Sequence, residues 1–204
     1  MVSQRTSPIS KYGWADGGPK RVQDMLLAIV LLCFLSPMMA CIAVLIRATS
    51  KGGAIYWSER IGQGNVVFKM PKFRTMRLGA PTVATHLFQD PGRWVTPLGR
   101  LLRRLSLDEL PQLYSILKGD MSFVGPRPAL FNQDDLVALR TRKGIHHLVP
   151  GVTGWAQING RDELPIPIKV EYDEYYKQHQ SLRFDVRILG LTIIRVARRS
   201  GVTH

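Results

Sequence analysis

Two adjacent carboxylates, Asp108 and Glu109, are the strongest candidates for chemistry in this sequence. They complete the pattern Ser106-Leu107-Asp108-Glu109, which fits a capping box and predicts a helix that begins at Ser106. Because free amides and the helix dipole stabilise negative charge there, we expect Asp108 to stay ionised, as an attacking carboxylate must. Such a carboxylate forms an acyl phosphate with a phosphorus centre, while its neighbour can hold Mg²⁺ against the phosphate oxygens. Acidic residues at these positions are also ordinary helix capping, so the spacing alone does not establish catalysis.

Cations that could hold phosphate groups are spread along the chain rather than gathered in one solvated run. Arginine can grip a phosphate with two parallel hydrogen bonds. The candidates are Lys72, Arg74, Arg103, Arg127 and Arg161. Taken singly, each is more often a surface charge, so their role depends on whether the fold brings them to the carboxylates.

Familiar phosphate and metal motifs are missing from the sequence. It contains no GxxxxGK[ST] loop, no GxGxxG turn, no GxSxG elbow and no Asp-x-Asp motif. The histidines show no HExxH or other metal-ligand spacing and are interpreted as surface residues: His86, His146, His147, His179 and His204. Any metal should therefore be held by carboxylates.

Composition bounds the class of protein. A chain of 204 residues with 45% hydrophobic residues fits one folded domain and excludes a disordered chain. The formal charge of +13 favours polyanionic partners such as nucleic acid, anionic lipid or a phosphorylated substrate, without choosing among them. Cys33 and Cys41 lie in the most apolar stretch, so neither a disulfide framework nor a cysteine zinc site is expected.

Residues 25–46 form an uncharged apolar run that is long enough to cross a bilayer as a helix. Ser36 and Pro37 lie near its middle, where proline removes a backbone hydrogen bond and predicts a kink. Basic residues flank both ends, namely Lys20, Arg21, Arg47 and Lys51. Since a spanning helix usually has its basic excess on one side, the flanks favour a re-entrant helix, while an ordinary kinked span stays open. A signal peptide is disfavoured because the apolar run continues past Cys41.

The remaining pattern predicts short elements. Residues 54–76 indicate a β-hairpin, leucines at helical spacing indicate a helix over 98–105, and a second helix should run from Ser106 to Gly119. A short helix is expected at about 132–143, and a two-faced helix over 184–199 could lie on an anionic membrane. For that last helix, packing of its apolar face against the core is the slightly preferred alternative.

Several segments together resemble the bacterial sugar transferase family of monotopic phosphoglycosyltransferases. They are Lys20-Arg21 with Asp24, Ser36-Pro37, Arg60-Ile61-Gly62, KFRTM at 72–76, SLDELPQL at 106–113, KGDMSFVGPRP at 118–128, PGVTGWAQINGR at 150–161 and RSGV at 199–202. The similarity spans residues 20–202. Val149 and Pro71 depart from residues common in the family, and the first departure could alter a phosphate contact.

The resemblance implies a fold and a reaction. The expected fold is α+β and mainly helical: a monotopic membrane protein with a Ser-Pro-broken re-entrant helix, a small β-hairpin and amphipathic interfacial helices. The implied reaction moves a sugar 1-phosphate from a UDP-sugar to undecaprenyl phosphate, which releases UMP and initiates glycoconjugate synthesis. Asp108 would be the nucleophile that forms a covalent phosphosugar intermediate, and Glu109 would help to bind Mg²⁺.

The resemblance also implies the setting of the reaction. Lys72, Arg74, Arg103, Arg127 and Arg161 would contact phosphate or nucleotide groups, and Asp173 would lie near the nucleotide-sugar pocket. The expected organisation is a disordered leader at 1–19, a re-entrant membrane helix at 20–50 and a catalytic domain at 51–204 on the cytoplasmic face of the bacterial inner membrane. The partners would be the UDP-sugar, undecaprenyl phosphate and membrane lipid, without nucleic acid; homodimerisation is left open.

Two alternatives are kept. The chain could be a non-catalytic, membrane-anchored basic protein that binds anionic lipid or nucleic acid through its arginine-rich faces. Alternatively, the lipid phosphate could attack the donor directly in a ternary complex, with Asp108 only holding metal. The sequence does not choose the sugar, the glycan pathway or a strictly UDP-linked donor.

Overall fold

The computed structural model of the chain describes residues 18–81, 91–160 and 164–197. The first helix, α1, covers Pro19–Thr49 and begins with proline at its first position, where the missing N–H costs no helical bond. It is the one helix among these residues that is long and apolar enough to cross a membrane. Most of the predicted leader, residues 1–17, lies outside the described residues.

Helix α1 is continuous across Ser36 and Pro37, so the helix does not end where a break was predicted. Pro37 has no N–H to donate to the carbonyl of Cys33, and the hydroxyl of Ser36 donates to that oxygen instead, at 3.1 Å. This bond replaces the one that proline removes. The re-entrant geometry itself stays a prediction.

Strands β1 (Ile55–Ile61) and β2 (Val67–Phe73) form the predicted antiparallel hairpin, closed by a 3-10 turn at Gln63–Asn65. Both strands are longer than the apolar pieces that predicted them. The register places Lys72 opposite Tyr56, near the open end of the hairpin.

Helices α2 (Pro91–Trp94) and α3 (Pro97–Arg104) follow, and the hydroxyl of Thr96 caps α3 by accepting from the amide of Gly99 at 2.9 Å. The single helix predicted from Ser106 to Gly119 is wrong. The chain instead forms a 3-10 helix at Leu107–Gln112 and then α4 at Leu113–Lys118, because Pro111 stands inside the first of them and lacks an N–H.

The second half of the chain pairs two three-residue strands, β3 (Ser122–Val124) and β4 (Gly151–Thr153), in parallel. Around them lie α5 (Asp134–Arg142), a 3-10 turn at Ile145–His147, α6 (Trp155–Ile158), α7 (Ile166–His179) and α8 (Leu182–Ala197). The α+β, mainly helical class is confirmed. Neither the parallel strands nor α7 was predicted.

Two hydrophobic clusters form the core, and α1 contributes to both. Ala28 in its first half packs with Ile116, Met121 and residues of α7 and α8. Ile42 and Ile46 in its second half pack in a separate cluster with Phe73 and Leu102. Both halves of α1 therefore rest on the same folded body, while the segment 33–38 between them is mostly exposed.

The expectation that α8 buries its apolar face against the core is confirmed only in part. Asp185 and Ile188 are buried and Leu189 packs partly buried against the core, as Phe184 and Leu191 also do. Val186, Ile193 and Val196 of the predicted apolar face are exposed. The second, membrane-facing interpretation of this helix therefore stays a prediction.

Candidate active site

The carboxylate pair lies on the 3-10 helix at Leu107–Gln112, which packs against β2. Strand β2 carries Lys72, helix α3 carries Arg103, and the loop after β3 carries Arg127. These three predicted cations act on the carboxylates from three different elements. The fold therefore assembles a site that is dispersed in the sequence.

Glu109 is fixed by two cations. Its Oε1 accepts a hydrogen bond from Lys72 Nζ at 2.9 Å and another from Arg127 Nη2 at 2.9 Å. Burial opposes the ionisation of Glu109, but the charges and hydrogen bonds of Arg127 and Lys72 outweigh it and hold the pKa of this carboxyl well below its usual range. Glu109 is thus ionised at neutral pH.

Asp108 is treated differently, although it is only 8% exposed. Its carboxylate accepts no hydrogen bond from any residue that the structure describes. Burial raises its pKa above the ordinary value of 3.8; Lys72 counters this effect, Glu109 adds to it, and Arg103 and Arg127 oppose it. Three nearby cations therefore favour the ionised form of Asp108, but none of them donates a hydrogen bond to its carboxylate oxygens.

The predicted capping box does not form. Ser106 adopts a left-handed conformation, with φ 57°, and its side chain caps no amide. The side chain of Glu109 contacts Lys72 and Arg127 rather than the start of the helix. Asp108 and Glu109 do lie in the first turn of a helix that follows Ser106, as predicted. The side-chain capping bonds are absent, and burial and neighbouring charges set the pKa of Asp108.

Lys72 and Arg103 are both partly removed from water. Burial lowers the pKa of Lys72, and Glu109 opposes that shift. Burial also lowers the pKa of Arg103, opposed by Asp108, and its Nε donates to the hydroxyl of Thr75 at 2.9 Å. The cost of burying these cations is offset mainly by the carboxylate pair.

The other predicted site residues lie elsewhere. Arg74 donates to the carbonyl of Gly53 at 2.7 Å and stands 5.9 Å from the ring centroid of Tyr56, so the structure does not bring it to the pair. Asp173 forms a buried ion pair with Arg140 at 2.6 Å. Arg161 lies outside the described residues, Ser36 and Pro37 lie on α1, and Val149 is buried in the core.

Sequence reasoning missed Arg140, a buried cation on α5 that contacts both Asp173 and the backbone of Arg127. A basic residue in the last turn of a short helix is an ordinary sequence feature. Nothing in the local pattern marks its distant partners.

The carboxylates present fit a magnesium ion that is also held by a substrate. The described residues contain no group of three metal-ligating side chains, as an all-protein metal cage would need. Mg²⁺ commonly binds one or two carboxylates together with substrate phosphates and water. Within the described part of the chain, Oε2 of Glu109 and both oxygens of Asp108 accept no hydrogen bond and supply such carboxylate oxygens.

The family model described as "Bacterial sugar transferase" matches residues 16–199 of this sequence. The chain belongs to the bacterial sugar transferase family. This confirms the resemblance on which the sequence expectations rest, and it makes the carboxylate pair and its cations the candidate active site of a sugar transferase.

Named members of the sugar transferase family align over most of the chain. It is 40% identical over 185 residues to "Uncharacterized sugar transferase EpsL" of Bacillus subtilis (strain 168), covering 90% of this chain and 89% of that protein. It is 40% identical over 184 residues to "UDP-glucose:undecaprenyl-phosphate glucose-1-phosphate transferase" of Escherichia coli (strain K12), covering 86% of this chain and 39% of that protein.

A third relative is "UDP-N-acetylgalactosamine-undecaprenyl-phosphate N-acetylgalactosaminephosphotransferase" of Aeromonas hydrophila. The two are 38% identical over 182 residues, which cover 85% of this chain and 42% of that protein. The chain thus spans about two fifths of the length of the Escherichia and Aeromonas relatives.

Proposed function

We propose that this sugar transferase moves a sugar 1-phosphate from a UDP-sugar to undecaprenyl phosphate, with release of UMP. The observation that carries the proposal is the open carboxylate of Asp108, buried among Lys72, Arg103 and Arg127 and next to the fixed anion of Glu109. A buried carboxylate without hydrogen bonds is costly to a fold, and such sites are typical of catalysis. The names of the Escherichia and Aeromonas relatives describe the same class of reaction.

The first half of the proposed reaction is attack by a carboxylate oxygen of Asp108 on the sugar-bearing phosphorus of the donor. The new bond is an acyl phosphate, and the bond from that phosphorus to the oxygen of UMP breaks. In the second half, a phosphate oxygen of undecaprenyl phosphate attacks the same phosphorus. The acyl phosphate bond breaks, Asp108 is restored, and the sugar leaves as undecaprenyl diphosphosugar.

The charges of the site suit both steps. Bound Mg²⁺, held by Glu109 and the donor phosphates, would withdraw negative charge from the phosphoryl group. Lys72 and Arg127 keep Glu109 ionised and in place, and the positive charge of Arg103 favours the ionised, nucleophilic form of Asp108. Cations already positioned around the developing charge need no reorganisation during the reaction.

We also propose that α1 enters and leaves one membrane leaflet from the cytoplasmic face of the bacterial inner membrane. Both halves of α1 pack against the same folded body, whereas a spanning helix places its ends on opposite sides of a hydrocarbon core about 30 Å thick. The basic flanks agree, because basic residues are concentrated on the cytoplasmic side and α1 carries them at both ends. The exposed segment 33–38 would then be the part that reaches furthest into the lipid.

The test uses the full chain in nanodiscs with Mg²⁺, undecaprenyl phosphate and a panel of donors that includes UDP-glucose, UDP-galactose and UDP-N-acetylgalactosamine. Release of UMP rather than UDP identifies transfer of a sugar phosphate, and Asp108→Asn is the control. UDP as the product, or the same UMP release from wild type and variant, would contradict the proposal. If no donor turns over while the chain binds anionic vesicles in a salt-dependent way, the binding-protein alternative is supported.

Omitting undecaprenyl phosphate separates the covalent mechanism from a ternary complex. With a covalent intermediate, the enzyme releases about one equivalent of UMP without acceptor and gains the mass of the sugar phosphate on the peptide that contains Asp108. It should also exchange labelled UMP into the donor. In a ternary mechanism, neither UMP release nor exchange occurs until the acceptor is added.

A further inference from the structure

The backbone of residues 126–128, which carries Arg127 between two prolines, is held from three sides. Its three carbonyl oxygens accept hydrogen bonds, in chain order, from Gly151 N at 2.9 Å, Arg140 Nη1 at 2.7 Å and Arg60 Nη1 at 3.3 Å. Proline has no N–H, so two of these three residues can be fastened only through their carbonyls. The position of Arg127 therefore depends on donors from other elements.

Arg140 is in turn oriented by Asp173. Its Nε and Nη2 donate to Oδ2 of Asp173 at 3.0 and 2.6 Å, and both residues are buried, with exposed fractions of 7% and 1%. A buried guanidinium needs such a carboxylate to offset its loss of hydration. The planar fork of Arg140 thus binds Asp173 on one edge and the carbonyl of Arg127 with its remaining nitrogen.

The side chain that this arrangement supports is only loosely packed. Arg127 is 32% exposed at its side chain, yet its Nη2 lies 2.9 Å from Oε1 of Glu109. A side chain that is one-third exposed is held largely by its backbone and its polar contacts, not by close packing. A shift of about 1 Å in such a group can lower a catalytic rate by roughly 10²-fold.

We propose that Arg140 is a positioning residue of the sugar transferase. Fixed by Asp173, it sets the backbone of Arg127 and so the contact between Arg127 and Glu109. Asp173 thereby acts through Arg140, without contacting the donor. The inference rests on the proposed function for its effect on catalysis, but the structural dependence of residues 126–128 on Arg140 can be measured separately.

The chain offers a matched control for this experiment. Lys143 and Glu174 form a second ion pair between the same two helices, α5 and α7, at 2.6 Å. Their side chains are 36% and 32% exposed, and within the part of the chain that the structure describes neither forms a hydrogen bond or ion pair with Arg127. Glu174→Gln therefore weakens the link between the helices without disturbing Arg140.

The structural test is hydrogen exchange of the full chain in nanodiscs without donor, in wild type, Arg140→Lys, Asp173→Asn and Glu174→Gln. Lysine keeps the charge opposite Asp173 but cannot span both acceptors. We expect peptides that cover residues 121–133 to exchange about fivefold faster or more in the first two variants, and at the wild-type rate in Glu174→Gln. Peptides from β1 serve as the internal reference. Unchanged exchange of residues 121–133 in Arg140→Lys would overturn the proposal.

The catalytic test is a double-mutant cycle on kcat/KM. Arg140→Lys should lower kcat/KM by roughly 10- to 100-fold, and adding it to Arg127→Lys should cause little further loss, because Arg140 acts through Arg127. Glu174→Gln should leave kcat/KM unchanged in either background. Fully additive losses would overturn the proposal. Absence of UMP release from the wild type with every donor would instead refute the proposed function, and hydrogen exchange would still decide the role of Arg140.

Discussion

The two aspartates Asp185 and Asp108 are both almost fully buried, and the fold surrounds them in opposite ways. Asp185 pairs with Lys20 of α1 and accepts from the hydroxyl of Tyr176 at 2.8 Å. Lys20 also donates to the carbonyl of Val124 at 3.1 Å. Asp108, in contrast, accepts no hydrogen bond from the described residues. We call the first group, Lys20, Tyr176 and Asp185, the anchor cluster.

The difference indicates what each group is for. In the anchor cluster, both carboxylate oxygens of Asp185 are used within the fold, and the cluster joins the start of α1 to α7 and α8. Buried polar groups that serve the fold are satisfied by the fold. Asp108 has cations nearby, but no described residue donates a hydrogen bond to its carboxylate. This is expected for a carboxylate whose partner is a substrate.

The largest expected effect separates the two aspartates by activity. Asp108→Asn should lower the rate of UMP release by roughly 10³-fold or more, because an amide is a poor nucleophile and holds metal weakly. Thermal stability should fall much less than activity, since no hydrogen bond to Asp108 is lost and only part of the charge compensation of Arg103 and Lys72 is removed. Initial rates and melting curves in the same nanodisc preparation check both parts. If this variant failed to fold, Asp108 would have a structural role like that of Asp185, which would contradict the comparison.

The next effect tests the anchor cluster by stability. Asp185→Asn removes the ion-pair partner of the buried Lys20, which keeps only the charge of Asp24 nearby, and should lower the free energy of unfolding by about 3 kcal/mol. Denaturant titration of the detergent-solubilised protein measures this loss. The double variant Lys20→Met with Asp185→Leu removes both charges and should recover part of it. A single variant as stable as wild type would contradict the structural role of the cluster.

A third prediction uses pH, in EDTA so that no metal is bound. Burial raises the pKa of Asp108 above 3.8, so protonated Asp108 favours the folded state. This contribution to the free energy of unfolding is present below pH 3.8 and is lost as the pH rises through the raised pKa. An asparagine side chain does not titrate, so the variant Asp108→Asn lacks this pH-dependent loss. Its melting temperature relative to wild type should therefore rise from pH 3.8 towards neutrality.

Glu109 should behave in the opposite direction. Its lowered pKa contributes stability above the ordinary value of 4.5 that is lost as the pH falls through the lowered pKa. Glu109→Gln should therefore be less stable than wild type at neutral pH, with a deficit that shrinks in acid. Melting curves across the pH series measure both variants, and parallel curves for the two would contradict the different environments.

The smallest effect concerns a polar group on the exposed side of α1. Ser36→Ala removes the bond to the Cys33 carbonyl, which Pro37 cannot replace, and should cost about 0.5–1 kcal/mol. Thr49→Ala is the matched control, because the Thr49 hydroxyl bonds to the carbonyl of Leu45 without a proline at that step. Unfolding in detergent should show a smaller loss for Thr49→Ala. Equal losses would show that Ser36 does not compensate for Pro37.

Local patterns in the sequence predicted the hairpin, α3, α5 and α8, because each has a run of apolar residues at the spacing of its element. Strands β3 and β4 have three residues each, too few to show alternation, and their pairing joins distant parts of the chain. The helix at 106–119 was wrong because Pro111 was not weighed against a favourable apolar face.

The candidate site was predicted in part, and the failures have a common cause. Lys72, Arg103 and Arg127 act on the carboxylate pair as expected. Arg74 does not, since β2 ends at Phe73 and its alternation no longer places residue 74 on the face of Lys72. The bond from Arg140 to Arg127 joins a helix to a loop, and no local spacing carries such information.

Three glycines next to the segment that carries Arg127 limit how this enzyme can be altered. A Cβ added at Gly125, Gly151 or Gly154 would collide with backbone atoms of the same small group: at Gly125 with Val149, and at Gly151 and Gly154 with Gly125. Because backbone cannot rotate away as a side chain can, even alanine at these positions should force the backbone to shift and strongly destabilise this part of the fold. A mutant library aimed at a new donor sugar would keep these three codons fixed. Relatives that differ in sugar preference would have to differ at other positions.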